Sequence, residues 1–200
     1  MRYDGYFLMC ASALLLGAVH AMGQTPPLRI MPLGDSITYG SGTAGGYRLP
    51  LYVSLTNTGY NVDYVGSAYD NPSTGLGSET NHEGHSGWRI STAANSGLHE
   101  FILGWLNQVD DPDAVLLHIG TNDTNDPDFE HAIDELDALL ARVAAARPYA
   151  HIVVTTLMKR GVDDLDSKYV AITNGFNPFV ESRVQAHQAL GRRVHFLDMH

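Results

Sequence analysis

The sequence predicts an α/β protein built on a doubly wound parallel sheet in a single domain, and three observations predict it. From about Leu28 onward, short apolar runs alternate with segments of helical spacing, the pattern of successive strand–helix crossovers. The run Ala114-Val115-Leu116-Leu117-His118-Ile119 is nearly all apolar, as a parallel strand covered on both faces must be. Glycine-bearing polar turns follow the first strand and this one, at Pro32-Leu33-Gly34-Asp35-Ser36-Ile37-Thr38-Tyr39-Gly40 and at Gly120-Thr121-Asn122-Asp123. They stand at strand exits, where an open α/β sheet holds its ligands.

The elements follow in order. Leu28-Arg29-Ile30-Met31 is the first strand, and its turn shows no helical periodicity until Tyr47. Leu51, Val53 and Leu55 place a helix over Tyr47 to Leu55, ending near Asn57 and Gly59. Tyr60 to Val65 alternates as a β-rich second strand and stops at Gly66, which completes a crossover unit, right-handed by default. Ser67 to Gly87 is poor in apolar residues and too long for a simple connection, so a functional loop is expected. A helix runs from Ile90 toward Leu106, Asn107 to Asp113 turns, and Ala114 to Ile119 is the third strand. Asp128 to Arg147 is the clearest helix: Ile133, Leu136, Leu139, Leu140 and Val143 form one stripe, acids lie early and arginines late, and Pro148 stops it. Ile152 to Leu157 is the fourth strand and Lys159 to Asp166 a charged loop. A last helix starts at Asn177 as cap, with Pro178 first in the helix, and ends before Gly191. Val194 to Asp198 is the fifth strand.

Two hundred residues, 44% hydrophobic and 17% charged, suit one globular domain. With 12 basic against 22 acidic residues the net charge is -10, which disfavours nucleic acid and suits a neutral substrate. Arg2, the apolar run Phe7 to Val19 and Val19-His20-Ala21 read as a secretory signal over residues 1–21. Residues 22–200 then form the domain, with the mature start at Met22 or Gln24. A buried N-terminal helix is the competing reading. The run is too short to span a bilayer, so a secreted protein with no membrane partner is expected. Cys10 is the single cysteine and lies in the leader, so the mature domain has no disulfide.

In the flavodoxin-like strand order 2-1-3-4-5, the first and third strands are neighbours and the switch point lies between their carboxyl ends. Ser36 leaves one and Asn122 the other, about 4.8 Å apart at the strands, and Gly87 can bring a bare N–H to the same place from the long loop. The Ser36 and Gly87 N–H groups with the Asn122 amide would make an oxyanion hole. Taken alone, Gly-Asp-Ser is also ordinary turn chemistry.

These residues carry a resemblance. Gly34-Asp35-Ser36, Gly87 and Gly120-Thr121-Asn122-Asp123 resemble the first three blocks of the SGNH, or GDSL, hydrolase superfamily, with Ile37 where the GDSL name has Leu. His82-Glu83-Gly84-His85-Ser86-Gly87-Trp88 is similar to the second block of the family-three carbohydrate esterases, which include acetyl xylan esterases. The resemblance runs from about Leu28 to the end and implies an SGNH-hydrolase fold. It also implies Ser36 as nucleophile and Gly87 and Asn122 in the oxyanion hole. The family's fourth block, an Asp-x-x-His, does not follow the fifth strand, where Asp198-Met199-His200 has the wrong spacing. His195 and His200 sit on or after an edge strand roughly 14 Å from that of Ser36, at about 4.8 Å per strand. The general base is therefore expected beyond His200, the domain is expected to lack its C-terminal end, and these 200 residues alone are expected to be nearly inactive.

No cofactor or metal is expected. His82, Glu83 and His85 lack the i, i+4 histidine spacing of zinc proteases, and Asp123, Asp126 and Asp128 lack the glycine and final Glu of a calcium loop. Trp88, Tyr39 and Tyr47 read equally as a sugar-stacking rim or as core. Asn122-Asp123-Thr124 satisfies a glycosylation sequon, which an enclosed Asn122 would leave unmodified. The expected function is a secreted, monomeric serine esterase that removes acetyl groups from a polysaccharide such as xylan through an acyl-enzyme. A lipase or thioesterase of the same superfamily and a non-catalytic carbohydrate-binding or truncated relative are the alternatives.

Overall fold

Leu28–Gly34 forms β1, three residues longer than its apolar run, because Pro32, Leu33 and Gly34 continue the ladder and are buried with Met31. The computed structural model describes residues 26–125, 129–158 and 170–199. The expected leader with Cys10, Asp126 and Asp128, the charged loop 159–166 and His200 lie outside the described residues.

After β1 come α1 (Ser36–Tyr39), α2 (Arg48–Asn57), β2 (Val62–Tyr64), β3 (Glu83–Gly84), α3 (Leu98–Leu106), β4 (Ala114–His118), α4 (Ala132–Ala146), β5 (His151–Thr155), α5 (Asn177–Ala189) and β6 (Val194–Leu197). The strands are parallel in the order β2-β1-β4-β5-β6, with β3 added on β1. Apart from β3, which the sequence pattern does not reveal, this is the expected 2-1-3-4-5 order of a doubly wound sheet. Among the described residues no helix is long and apolar enough to cross a membrane.

One face carries the larger core. Met31, Leu33, Val115, Leu117, Ile152, Val154 and Val194 point from alternate strand positions at Ile102 and Leu106 of α3, at Leu136, Leu139, Leu140 and Val143 of α4, and at Val180 and Val184 of α5. Each such side chain contributes about 1.5–3 kcal/mol on burial. On the other face α2 covers Ile30, Val62 and Tyr64 through Leu49, Tyr52 and Leu55. Beyond α2, Leu116, His118, Val153, Thr155 and Leu197 line an apolar groove of about 310 Å³ with Tyr47 and Leu51. Neither ring nitrogen of the buried His118 has a hydrogen-bond partner among the described residues.

Several boundaries move for physical reasons. The helix expected from Ile90 begins at Leu98. Before it, Ile90 gives its N–H to Asp123 at 3.1 Å, and Glu100 accepts from the Ser91 hydroxyl at 2.6 Å, which folds the stretch into a loop. Asn177 does not cap its own helix: its side chain pairs with the N–H and C=O of Leu157 at 2.8 and 2.9 Å, and a π-helical turn, Ala171–Phe176, precedes α5.

The long loop after β2 is ordered by a residue that looks like surface charge in the sequence. Arg48 is fully buried, and its guanidinium donates to the carbonyls of Thr80 at 2.8 Å, Tyr39 at 3.2 Å and Asn71 at 3.3 Å. Burial lowers its pKa, but an arginine keeps its charge there. Arg48→Ala would strand three carbonyls and leave a cavity, so urea unfolding should show a loss of at least about 3 kcal/mol. A loss under about 1 kcal/mol would show that the loop holds without it.

Candidate active site

The site begins at a close approach. Gly34 pairs with His118 across β1 and β4, and a Cβ on Gly34 would stand 2.1 Å from the His118 carbonyl oxygen and 2.5 Å from Thr38 Oγ1. Only glycine fits. The chain then turns at Asp35, which is fully buried and whose Oδ1 accepts the Ile37 N–H at 2.9 Å as the cap of α1. The turn thus contains a short helix that the sequence pattern does not predict. Gly40, at φ 87°, closes it by donating to the Ser36 carbonyl at 2.9 Å. Ser36 is therefore the first residue of a one-turn helix, where the backbone N–H has no intrahelical partner.

The loop carrying Gly87 is attached to the same strand end. β3 places Glu83 opposite Leu33 and Gly84 opposite Gly34, and the His85 N–H donates to the Gly34 carbonyl at 2.9 Å. A Cβ on Gly84 would lie 2.4 Å from the Tyr39 nitrogen, so this glycine lets β3 press against α1. Gly87 itself adopts φ 82° with open space where a side chain would be.

The two histidines of this loop hold it together. His82 accepts the Gly84 N–H on Nδ1 at 3.0 Å and so donates from Nε2 to the Asp70 carbonyl at 3.0 Å. Burial lowers its pKa, against the opposing bond to Asp70. His85 packs against the indoles of both Trp88 and Trp105, with ring centres 4.4 and 4.5 Å away, and its Nε2 meets Glu83 Oε2 at 2.9 Å. The other oxygen of the buried Glu83 accepts the Ser67 N–H.

Asn122 leaves β4 through Gly120, and its amide Nδ2 donates to the Trp88 carbonyl at 2.7 Å. That bond ties the third loop to the residue next to Gly87 and leaves the second amide hydrogen for another acceptor. Ser36, Gly87 and Asn122 are thus carried to one end of the sheet on β1, β3 and β4, and backbone pairing or a direct bond links each loop to the next. Asp123, unremarkable in the sequence beyond its place after Asn122, is the hidden anchor: buried, it holds the Ile90 N–H. Burial above all, helped by Glu135, pushes its carboxyl up to about 7.

The aromatic rim divides. Tyr39 and Trp88 line a hollow of about 380 Å³ with Asp70, His85 and Ser86. Tyr47 faces the apolar groove of the opposite sheet face instead, its phenol pushed up to about 12 by burial. Among the described residues no imidazole is hydrogen-bonded to the Ser36 hydroxyl: His82 and His85 are engaged as above, and His195 Nε2 meets His151 Nδ1 at 2.8 Å on strands two and three removed from β1.

Against this geometry, the sequence matches the GDSL-like lipase/acylhydrolase family over residues 33–200. The chain belongs to that family. A family 3 carbohydrate esterase of Clostridium thermocellum has a similar structure, with 30% identity and a TM-score of 0.70 over 86% of this chain and 78% of that one. A mutant acetyl esterase with serine replaced by alanine, solved with an acetate ion, matches with 28% identity and a TM-score of 0.63, over 86% of this chain and 79% of that one. A multidomain esterase of Ruminococcus flavefaciens is 32% identical in a 150-residue alignment that covers 64% of this GDSL-like chain and 18% of that protein's length.

Asp123 gives the domain a pH signature. Folded, it keeps its proton to about pH 7, whereas an unfolded Asp loses it near 3.9. The folded state holds the extra proton between those values, so this group makes stability fall as pH rises through the window. Asp123→Asn should therefore gain at least about 1 kcal/mol relative to the parent between pH 5 and pH 8 in parallel denaturation curves. A constant difference would place the titration elsewhere.

Proposed function

We propose that this chain is the catalytic domain of a secreted serine esterase that removes acetyl groups from a polysaccharide such as xylan. The observation that carries the proposal is the convergence of the Ser36, Gly87 and Asn122 loops at the carboxyl end of β1, with Gly34 as their common contact. The carbohydrate esterase and the acetyl esterase among the similar structures support the substrate class. The hollow between Tyr39 and Trp88 supports it too, because it offers aromatic and polar walls of the kind that suit a sugar. A lipase would be served by a larger apolar entrance.

In this reading Ser36 Oγ attacks the acetyl carbonyl and loses its proton to a general base, while the carbonyl oxygen takes up the negative charge. The Ser36 and Gly87 N–H groups and the free hydrogen of the Asn122 amide receive that charge. Collapse expels the sugar hydroxyl and leaves an acetyl-serine, which water then hydrolyses. The base in this reading is a histidine; His82, His85 and His195 already make other bonds, and comparing the 200-residue form with a longer chain locates it. The buried His118 lines the apolar groove with Ile37, Leu116 and Thr155.

Acetyl release from acetylated xylan tests both halves. The chain extended by a few tens of residues should turn over, and the 200-residue form should be essentially inactive; equal, Ser36-dependent rates would disprove the outside base. In the extended form, Ser36→Ala should leave less than about a thousandth of the rate. Asn122→Ala should cost about 10²–10³ in kcat with KM nearly unchanged, since its amide acts on charge that exists only in the transition state. An Asn122 effect confined to KM would make it a binding residue.

A further inference from the structure

At the end of the sheet opposite Ser36, where the parallel strands start, a groove of about 700 Å³ runs past the beginnings of β1 and β5. It falls within the range of about 300–1,000 Å³ typical of ligand sites. Two tyrosines line it, Tyr60 before β2 and Tyr149 before β5, and they are 54% and 81% exposed. A ring this open has no packing role that would keep it. Yet Tyr149 is held in place: the Arg193 guanidinium donates to its carbonyl at 3.2 Å and lies 6.0 Å from the centre of its ring. Flat amphipathic rings with donors beside them suit the C–H faces and hydroxyls of a pyranose.

The charges of the groove narrow the ligand. Arg29 is matched by Asp63 at 3.7 Å and Asp110 at 3.9 Å, and Asp113 stands in the wall. With Arg29 matched from outside the groove, and Arg193 and Asp113 of opposite sign in its lining, little positive charge is left for a polyanion, in a chain of net charge -10. His151 spends Nδ1 on His195 and keeps Nε2 for a hydroxyl. We propose that this groove is a second carbohydrate-binding site, which holds a run of neutral pyranoses in a polysaccharide chain while the Ser36 end works elsewhere on the polymer. The choice of polysaccharide rests on the esterase reading above; the groove itself does not.

Affinity electrophoresis through soluble xylan, with Ser36→Ala as parent so that the ligand is not altered, tests the site without any turnover. The parent should be retarded, and Tyr149→Ala and Tyr60→Ala should each raise the dissociation constant about fivefold. Tyr149→Trp, which keeps a flat ring, should stay near the parent. With Ser36 intact in the extended chain, the Tyr→Ala variants should hydrolyse p-nitrophenyl acetate at the unchanged rate. A parent that xylan does not retard, or Ala variants retarded as strongly as the parent, would overturn the site. Retardation by xylan with no acetyl release from the extended chain would instead sink the esterase reading and leave the groove standing.

Discussion

The contact between Gly34 and the His118 carbonyl, with no space for a Cβ, sets the geometry of the loops at the carboxyl end of the sheet. Because β1 and β4 close on each other there, the chain must turn at once, and a buried Asp35 cap converts that turn into the single helical turn that begins with Ser36. The same Gly34 offers its carbonyl to His85 on its other side. One residue without a side chain therefore joins the serine turn, the Gly87 loop and the strand that leads to Asn122. A methyl group at this position would push β4 or α1 away, and each loop would move relative to the others.

Around that contact the domain uses buried polar groups as fasteners for loops that have few apolar residues of their own. Arg48 gathers three carbonyls from different segments, Glu83 and His85 lock the Gly87 loop against two indoles, and Asp123 holds the backbone of Ile90. Each such group costs desolvation and is tolerable only because its partners are fixed. The result is fixed positions for the loops that carry Ser36, Gly87 and Asn122, as the proposed oxyanion hole requires of its donors.

Strand order and helix stripes were legible in the sequence because they depend on periodic burial: the apolar run Ala114 to Ile119 and the stripe through Leu136 and Val143 mark their elements without outside help. The positions of Ser36, Gly87 and Asn122 were legible as strand exits and by resemblance. What escaped was whatever depends on a partner distant in sequence. Nothing local marks Glu83–Gly84 as a strand until Gly34 lies beside it, and nothing marks Arg48 as buried until Tyr39, Asn71 and Thr80 turn their carbonyls inward. Asn177 precedes a proline and looks like a cap, but its better partners are the two backbone groups of Leu157. Tyr47 looked as suited to the rim as Tyr39 because orientation across a sheet is decided by which face the helix packs on.

The claim on which the account rests is that the backbone N–H groups of Ser36 and Gly87 and the side-chain amide of Asn122 surround one oxygen-sized position. An amide NMR titration with methylboronic acid, whose boron adds to a serine hydroxyl and places an oxygen where the oxyanion would be, reads that position directly and needs no turnover. The account predicts that the Ser36 N–H, the Gly87 N–H and the Asn122 side-chain resonances shift together, with one shared binding curve that is absent in Ser36→Ala. Shifts confined to other residues, or Gly87 and Asn122 resonances that stay in place while Ser36 responds, would contradict it.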